Sequence, residues 1–237
     1  MVNVLISNNT AAQEGGGVFI YNSDPSFVNV TISGNLSSTS EGDGIFIKNN
    51  SSPNLVNTIL WGNASNEIEF ASVDDSSSIT ISYSNIEGGQ DSIVTNDNGT
   101  VTWGDGNVDI DPLFVDVDND DYHLLASSQC INGGDPATFD SDGSRADMGA
   151  YPYLNSYNGP TWYIAESGND TTGTGASDDP FRSVQAGINF SSNDDSVTVA
   201  AGTYVENINF RGRNIKVVGE NRETTTIDGD SSGSVVL

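Results

Sequence analysis

Apolar positions along the chain come in short bursts of alternating polarity, and the first bursts are copies of one another. Val2-Asn3-Val4-Leu5-Ile6-Ser7-Asn8-Asn9 aligns with Val28-Asn29-Val30-Thr31-Ile32-Ser33-Gly34-Asn35, 26 residues later, and then with Val56-Asn57-Thr58-Ile59-Leu60-Trp61-Gly62-Asn63, 28 residues further on. Ile79-Thr80-Ile81-Ser82-Tyr83-Ser84-Asn85 reads as a fourth copy, 22 residues on when counted between the terminal asparagines. A second burst recurs between these copies as Gly17-Val18-Phe19-Ile20, Gly44-Ile45-Phe46-Ile47 and Glu67-Ile68-Glu69-Phe70. Rich in Val, Ile, Phe and Thr and bounded by Gly, Asn, Ser and Asp, these bursts predict strands rather than helices. A period in the twenties holding at least two short strands is one coil of a parallel β-solenoid, whose apolar face is buried only by stacking on the next coil.

Asn9, Asn35, Asn63 and Asn85 fall at equivalent places. Their side chains either ladder up the stack through amide hydrogen bonds or each hold a left-handed turn. Between Asp109 and Tyr153 the repeat stops and Asp, Gly and Pro punctuate Leu113-Phe114, Tyr122-His123-Leu124-Leu125 and Met148-Gly149-Ala150-Tyr151. A solenoid end exposes an apolar cross-section, so 109–154 is expected to be a closing cap. A polar linker at 155–160 follows. The strand Thr161-Trp162-Tyr163-Ile164-Ala165 then leads to a predicted amphipathic helix, with Asp179 as N-cap, Pro180 as first helical residue, and Phe181, Val184 and Ile188 on one face. Period-2 strands resume at Val197, Tyr204, Ile215 and Thr226 and run to Val235-Val236-Leu237. The organisation predicted is 1–108 as the last coils of one solenoid, 109–154 as its cap, 155–160 as linker, and 161–237 as the opening of a second. No signal peptide precedes Val2-Asn3-Val4-Leu5-Ile6, which already reads as the inside of a repeat, so a truncated chain is expected.

Charge narrows the partners. Acids outnumber bases 33 to 7 for a net charge of −26, although only 17% of the 237 residues are charged. Phosphate binding needs basic surface, so a nucleic-acid partner is excluded, and an anionic membrane surface repels the chain for the same reason. No apolar run is long enough for a transmembrane helix, so membrane insertion is not expected. Cys130, the only cysteine, lies among Leu124, Leu125 and Ile131 and is expected to be a buried small hydrophobe.

Two stretches resemble the bacterial secreted right-handed parallel β-helix repeat proteins of the pectin-lyase-like superfamily. Asp111-Pro112-Leu113-Phe114, Tyr122-His123-Leu124, Ser128-Gln129-Cys130-Ile131-Asn132-Gly133-Gly134-Asp135-Pro136 and Asp142-Gly143-Ser144-Arg145-Ala146-Asp147-Met148-Gly149-Ala150-Tyr151 resemble a closing module. Trp162-Tyr163-Ile164, Asp179-Pro180-Phe181-Arg182-Ser183-Val184-Gln185-Ala186-Gly187-Ile188 and Val199-Ala200-Ala201-Gly202-Thr203-Tyr204-Val205-Glu206-Asn207-Ile208 resemble an opening module. The resemblance implies an all-β fold: two partial right-handed parallel β-helices in tandem with one short capping helix. It also implies a secreted or cell-surface location.

For the chemistry, the resemblance suggests polyuronate cleavage by β-elimination, which needs a cation beside the substrate carboxylate and a base. Residues 1–110 offer only Lys48 against thirteen acids, whereas Arg211, Arg213, Lys216 and Arg222 cluster in the second solenoid. Glycoside hydrolysis needs a convergent acid pair. Asp74-Asp75, Asp120-Asp121, Asp178-Asp179 and Asp194-Asp195 are adjacent, but each sits in a turn-like Ser, Asn or Gly context. Asp116, Asp118 and Asp120 at alternate positions, and separately Asp140 and Asp142 with Asp147 further on, are candidate Ca²⁺ ligands, without a complete EF-hand loop. His123, the only histidine, is expected to pack in the cap. No catalytic residue is assigned. The expectation is a non-catalytic extracellular repeat protein that binds a polysaccharide or another cell-surface component, with Tyr21, Trp61, Tyr83 and Trp103 as candidate sugar platforms; a polysaccharide lyase or glycoside hydrolase is the alternative.

Overall fold

A computed structural model describes residues 1–39, 41–72 and 76–237. The chain forms two compact units. The first comprises residues 1–112, 116–122 and 132–152; the second comprises 113–115, 123–131 and 153–237. The stretch expected as a closing cap is thus divided between them.

In the first unit the chain winds through parallel coils. Val2–Ser7, Ser26–Ser33, the pair Asn54–Val56 and Ile59–Trp61, the pair Ser78–Ser82 and Asn85–Ile86, and Thr100–Trp103 stack in register as one long wall. Val18–Tyr21, Ile45–Lys48 and Ile68–Phe70 form a second wall, and Thr10–Ala11 pairs with Leu36–Ser37 in a short third one. Parallel neighbours need a crossover, and here the rest of each coil supplies it. Alternation sends Phe27, Ile32, Leu55, Leu60, Ile79, Ile81 and Ile86 inward with Ile20, Ile45, Ile47, Ile68 and Phe70, all essentially solvent-free. Burying each of these side chains contributes roughly 1.5–3 kcal/mol.

The repeat is real, but its fourth copy starts elsewhere than the sequence alignment placed it. Thr80 pairs with Asn54 and Asn85 with Ile59, a spacing of 26, and the shorter step falls one coil later, where Ser78 pairs with Thr100. Asn85 therefore does not share a position with Asn63. Gly89 does, because Gly62 and Gly88 occupy the same left-handed place one coil apart.

Residues 132–152 run along the side of these coils rather than across an end. Gly149 N donates to Asn57 O at 2.8 Å, Ala150 N to Thr31 Oγ1 at 3.0 Å, and Asp135 N to Asn57 Oδ1 at 2.7 Å. Gly149 presses on Ile59, which points outward and is nonetheless fully buried. The piece 116–122 binds the first coil, where Asn8 Nδ2 donates to Asp120 Oδ1 at 2.6 Å and to Tyr122 Oη at 3.1 Å.

The second unit stacks Thr161–Ile164, Ser196–Val199 and Lys216–Gly219 in parallel, and pairs Gly202–Val205 with Thr225–Asp228. Its one helix, α1 (Val184–Phe190), starts later than the sequence predicted. Ser183 is the N-cap, accepting from Ala186 N, while Asp179 sits in a turn and accepts from Thr174 N and Oγ1. Asp-Pro marked a turn here instead of a first helical turn. Gly187 lets α1 lie against the strands, since a Cβ there would fall 2.8 Å from Val197 Cγ1 and 2.9 Å from Ile164 Cδ1. Phe190, the last residue of α1, packs ring to ring with Trp162 and Phe181, and Trp162 Nε1 donates to Asp195 Oδ2 at 3.0 Å.

Candidate ligand-binding face

The polar residues of the coils are spent on the stack itself. Asn9 Nδ2 donates to Asn35 Oδ1 and Asn35 Nδ2 to Asn63 Oδ1, both at 2.9 Å, and the backbone N of Asn9 and of Asn35 donates to the same oxygens. The amide ladder is therefore present. It stops at Asn63, because the next coil carries Gly89 in that place. The Glu67 carboxyl fills the gap, taking the backbone N of Asn63 at 3.1 Å and its side-chain Nδ2. Gly44 stands at Glu67's position one coil earlier and leaves room for the Asn63 amide. Burial raises the Glu67 pKa to about 8, a rise that hydrogen bonds from Asn63 oppose and the neighbouring Glu87 carboxyl reinforces. Glu87 in turn accepts from Gly62 N at 2.6 Å. A second ladder, not foreseen, joins Asn3, Asn29 and Asn57 at the left-handed corner of the long wall, and Tyr83 takes that corner in the fourth coil.

The other carboxylates are similarly engaged. Asp116 accepts from Asn119 Nδ2, Asp120 from Asn8, Asp142 from Ser144, Asp140 from Asp147 N, and Asp147 from Asn132 N. Asp118 is exposed. Among the described residues no group of three or more His, Cys, Asp or Glu side chains is placed to hold a metal ion. Of the expected calcium ligands, Asp116, Asp120, Asp140, Asp142 and Asp147 each accept from an amide of the chain, and the six are not drawn together into one set of oxygen ligands. Burial raises the Asp140 pKa. Asp195 holds Trp162 and Ser192 N. Asp74 and Asp75 lie outside the described residues. His123 is exposed and Cys130 is buried.

Two members of the basic cluster of the second unit hold acceptors within that unit. Arg211 Nη1 donates to Ile131 O at 2.7 Å and Asn189 Oδ1 at 3.1 Å, and Arg213 donates to Ile188 O near the C-terminal end of α1. These guanidiniums fasten backbone carbonyls and, for Arg211, a side-chain amide oxygen of their own unit. Arg222 is exposed beside Glu223.

The four candidate aromatics separate by orientation. Trp103 points inward, in register with Ile81, and packs against the core. Tyr83 lies over Gly106 with the Arg145 guanidinium 5.9 Å from its ring centre. Trp61 is half-buried. Only Tyr21 is open, at 55% exposure, and beside it the strand presents Phe19 at 47%, a residue the sequence reading passed over. Their ring centres are 6.3 Å apart and the planes 12° from parallel. Phe19 also lies 6.1 Å from Phe46, its partner one coil on, with planes 10° from parallel, but Phe46 is only 3% exposed. Lys48, in register with Tyr21, is held by Glu14 at 3.2 Å. The clue in the sequence was Val18-Phe19-Ile20-Tyr21 itself, a strand apolar on both faces when only one can face the core.

Among the described residues no helix is long and apolar enough to cross a membrane. No curated protein and no solved structure matches the chain. Residues 2–109 match the family described as right handed beta helix region. That span, a little under half of the chain, is the stack of parallel coils of the first unit, and the strands of the second unit are also stacked in parallel, so the fold is that of a right-handed parallel β-helix.

Proposed function

We propose that this protein is a non-catalytic extracellular β-helix protein that binds a carbohydrate through the open aromatic strand Val18–Tyr21. The observation that carries the reading is the pair of exposed, nearly parallel rings of Phe19 and Tyr21 on the outside of a rigid coil wall. Sugar faces stack on such rings, and a strand fixed in a parallel stack holds them at little entropic cost. Against cleavage, Glu67 and Glu87 hold amides of their own chain, and Arg211 and Arg213 hold carbonyls. Fold alone fixes neither binding nor catalysis, so the site must decide.

The test is retention of the purified chain on immobilised glycans, followed by assays for new reducing ends and for unsaturated products on each glycan that retains it. Binding without either product is expected. Steady release of either would overturn the reading and return attention to the acid pairs.

A further inference from the structure

The Phe19–Tyr21 strip also says what sort of glycan fits it, granted that it binds one. We infer that its ligand is an uncharged glycan, gripped over a short length along the strand rather than along the axis of the coils. Two observations carry this. The first is electrostatic. Lys48 is the only basic side chain in residues 1–110 against thirteen acids, and it is already paired with Glu14. A polyuronate laid on this wall would meet no free cation and a field of like charge, and like-charge juxtaposition costs association in both rate and affinity.

The second observation is geometric. A ligand running along the solenoid axis would step from Phe19 to its partner in the next coil, Phe46, and that ring is only 3% exposed. Beyond Phe46 the same row continues with Glu69, which is buried and takes Gly42 N at 2.9 Å. Along the strand, by contrast, Phe19 leads to Tyr21 at 6.3 Å with both rings open. The platform is two rings long in the strand direction and is closed by buried Phe46 on the side of the next coil. It suits a chain end, a branch or a short oligosaccharide.

The experiment titrates the full chain with neutral glucan and mannan oligosaccharides of increasing length, with polygalacturonate, and with a glucosamine oligomer, at low and high salt. It is repeated for Tyr21→Ala, Phe19→Ala and Tyr21→Phe. Both residues are exposed, so folding is kept, and Tyr21→Phe retains the ring. The expected result is binding of a neutral series that levels off after a few sugar units and is insensitive to salt. It weakens about tenfold in Tyr21→Ala or Phe19→Ala and survives in Tyr21→Phe, a tenfold change being the size of one stacking contact. Salt-sensitive binding of polygalacturonate or of the glucosamine oligomer that the alanine variants abolish would overturn the uncharged-ligand inference and leave the aromatic face standing. Affinity that keeps rising with neutral chain length would overturn the short-grip geometry. Binding of no glycan would overturn this inference and the proposed function together.

Discussion

Asn35 shows how a single side chain holds a coil. Fully buried, it donates to Asn63 Oδ1 and to the carbonyls of Ile6 and Ser33, and it accepts from both nitrogens of Asn9. Asn35→Ala leaves several of these groups buried without partners, so a loss of about 3 kcal/mol is expected, measurable as a shifted urea midpoint at unchanged slope. Gly44 acts by the opposite means. A Cβ there would sit 2.4 Å from Glu67 O and 3.1 Å from Asn63 Nδ2, so Gly44→Ala forces the third coil away. Loss of the cooperative transition is expected, whereas replacing the exposed Tyr21 leaves it in place. At this scale the sequence was partly legible. The recurrence of Asn9, Asn35 and Asn63 left a ladder and a row of left-handed turns both open, and the stacked side chains form the ladder. Its end was hidden, because a glutamate four residues from Asn63 does the work of an asparagine the next coil lacks.

At the scale of elements, the ladder's lower end predicts a pH dependence. Folded Glu67 keeps its proton up to about pH 8, whereas an ordinary glutamate releases it near 4.5. Between those values the unfolded chain binds fewer protons than the folded one, so stability falls as pH rises from about 4.5 to about 8 and levels off above. Glu67→Gln mimics the protonated form. Thermal melts across this range should coincide with wild type near pH 5 and lie above it beyond pH 8; parallel curves at all pH values would show that Glu67 does not set the dependence. In the second unit, Trp162 fills the space beneath α1 and is bonded to Asp195, so Trp162→Ala is expected to cost about 3–5 kcal/mol, seen by denaturation of the whole chain. Strands were legible from alternation, but register was not. Ile79-Thr80-Ile81-Ser82-Tyr83-Ser84-Asn85 matches an earlier copy when displaced by four residues, and Tyr83 in the corner held by Asn3, Asn29 and Asn57 removed the landmark that would have corrected it. The helix start was misplaced because Asp179-Pro180 also satisfies a turn.

For the whole molecule, the right-handed parallel β-helix was readable because period, alternation and turn residues all agree on it. The candidate site was far less so. Among Tyr21, Trp61, Tyr83 and Trp103 the sequence could not separate inward from outward rings, since inward facing depends on which residue of each strand pairs with the core row of the neighbouring coil. Phe19 was missed for the same reason. The carboxylates followed a common physical rule: with 33 acids and few bases, the fold satisfies those it buries with backbone and asparagine N–H groups, leaving no convergent metal set among the described residues. On the proposed reading an open aromatic strand, rather than a carboxylate pair, meets the ligand. The most direct measurement is the binding isotherm of one retained glycan for wild type, Tyr21→Ala and the double variant Glu67→Gln/Glu87→Gln. About tenfold weaker binding is expected for Tyr21→Ala and an unchanged isotherm for the double variant. Binding lost in the double variant and kept in Tyr21→Ala would contradict that reading.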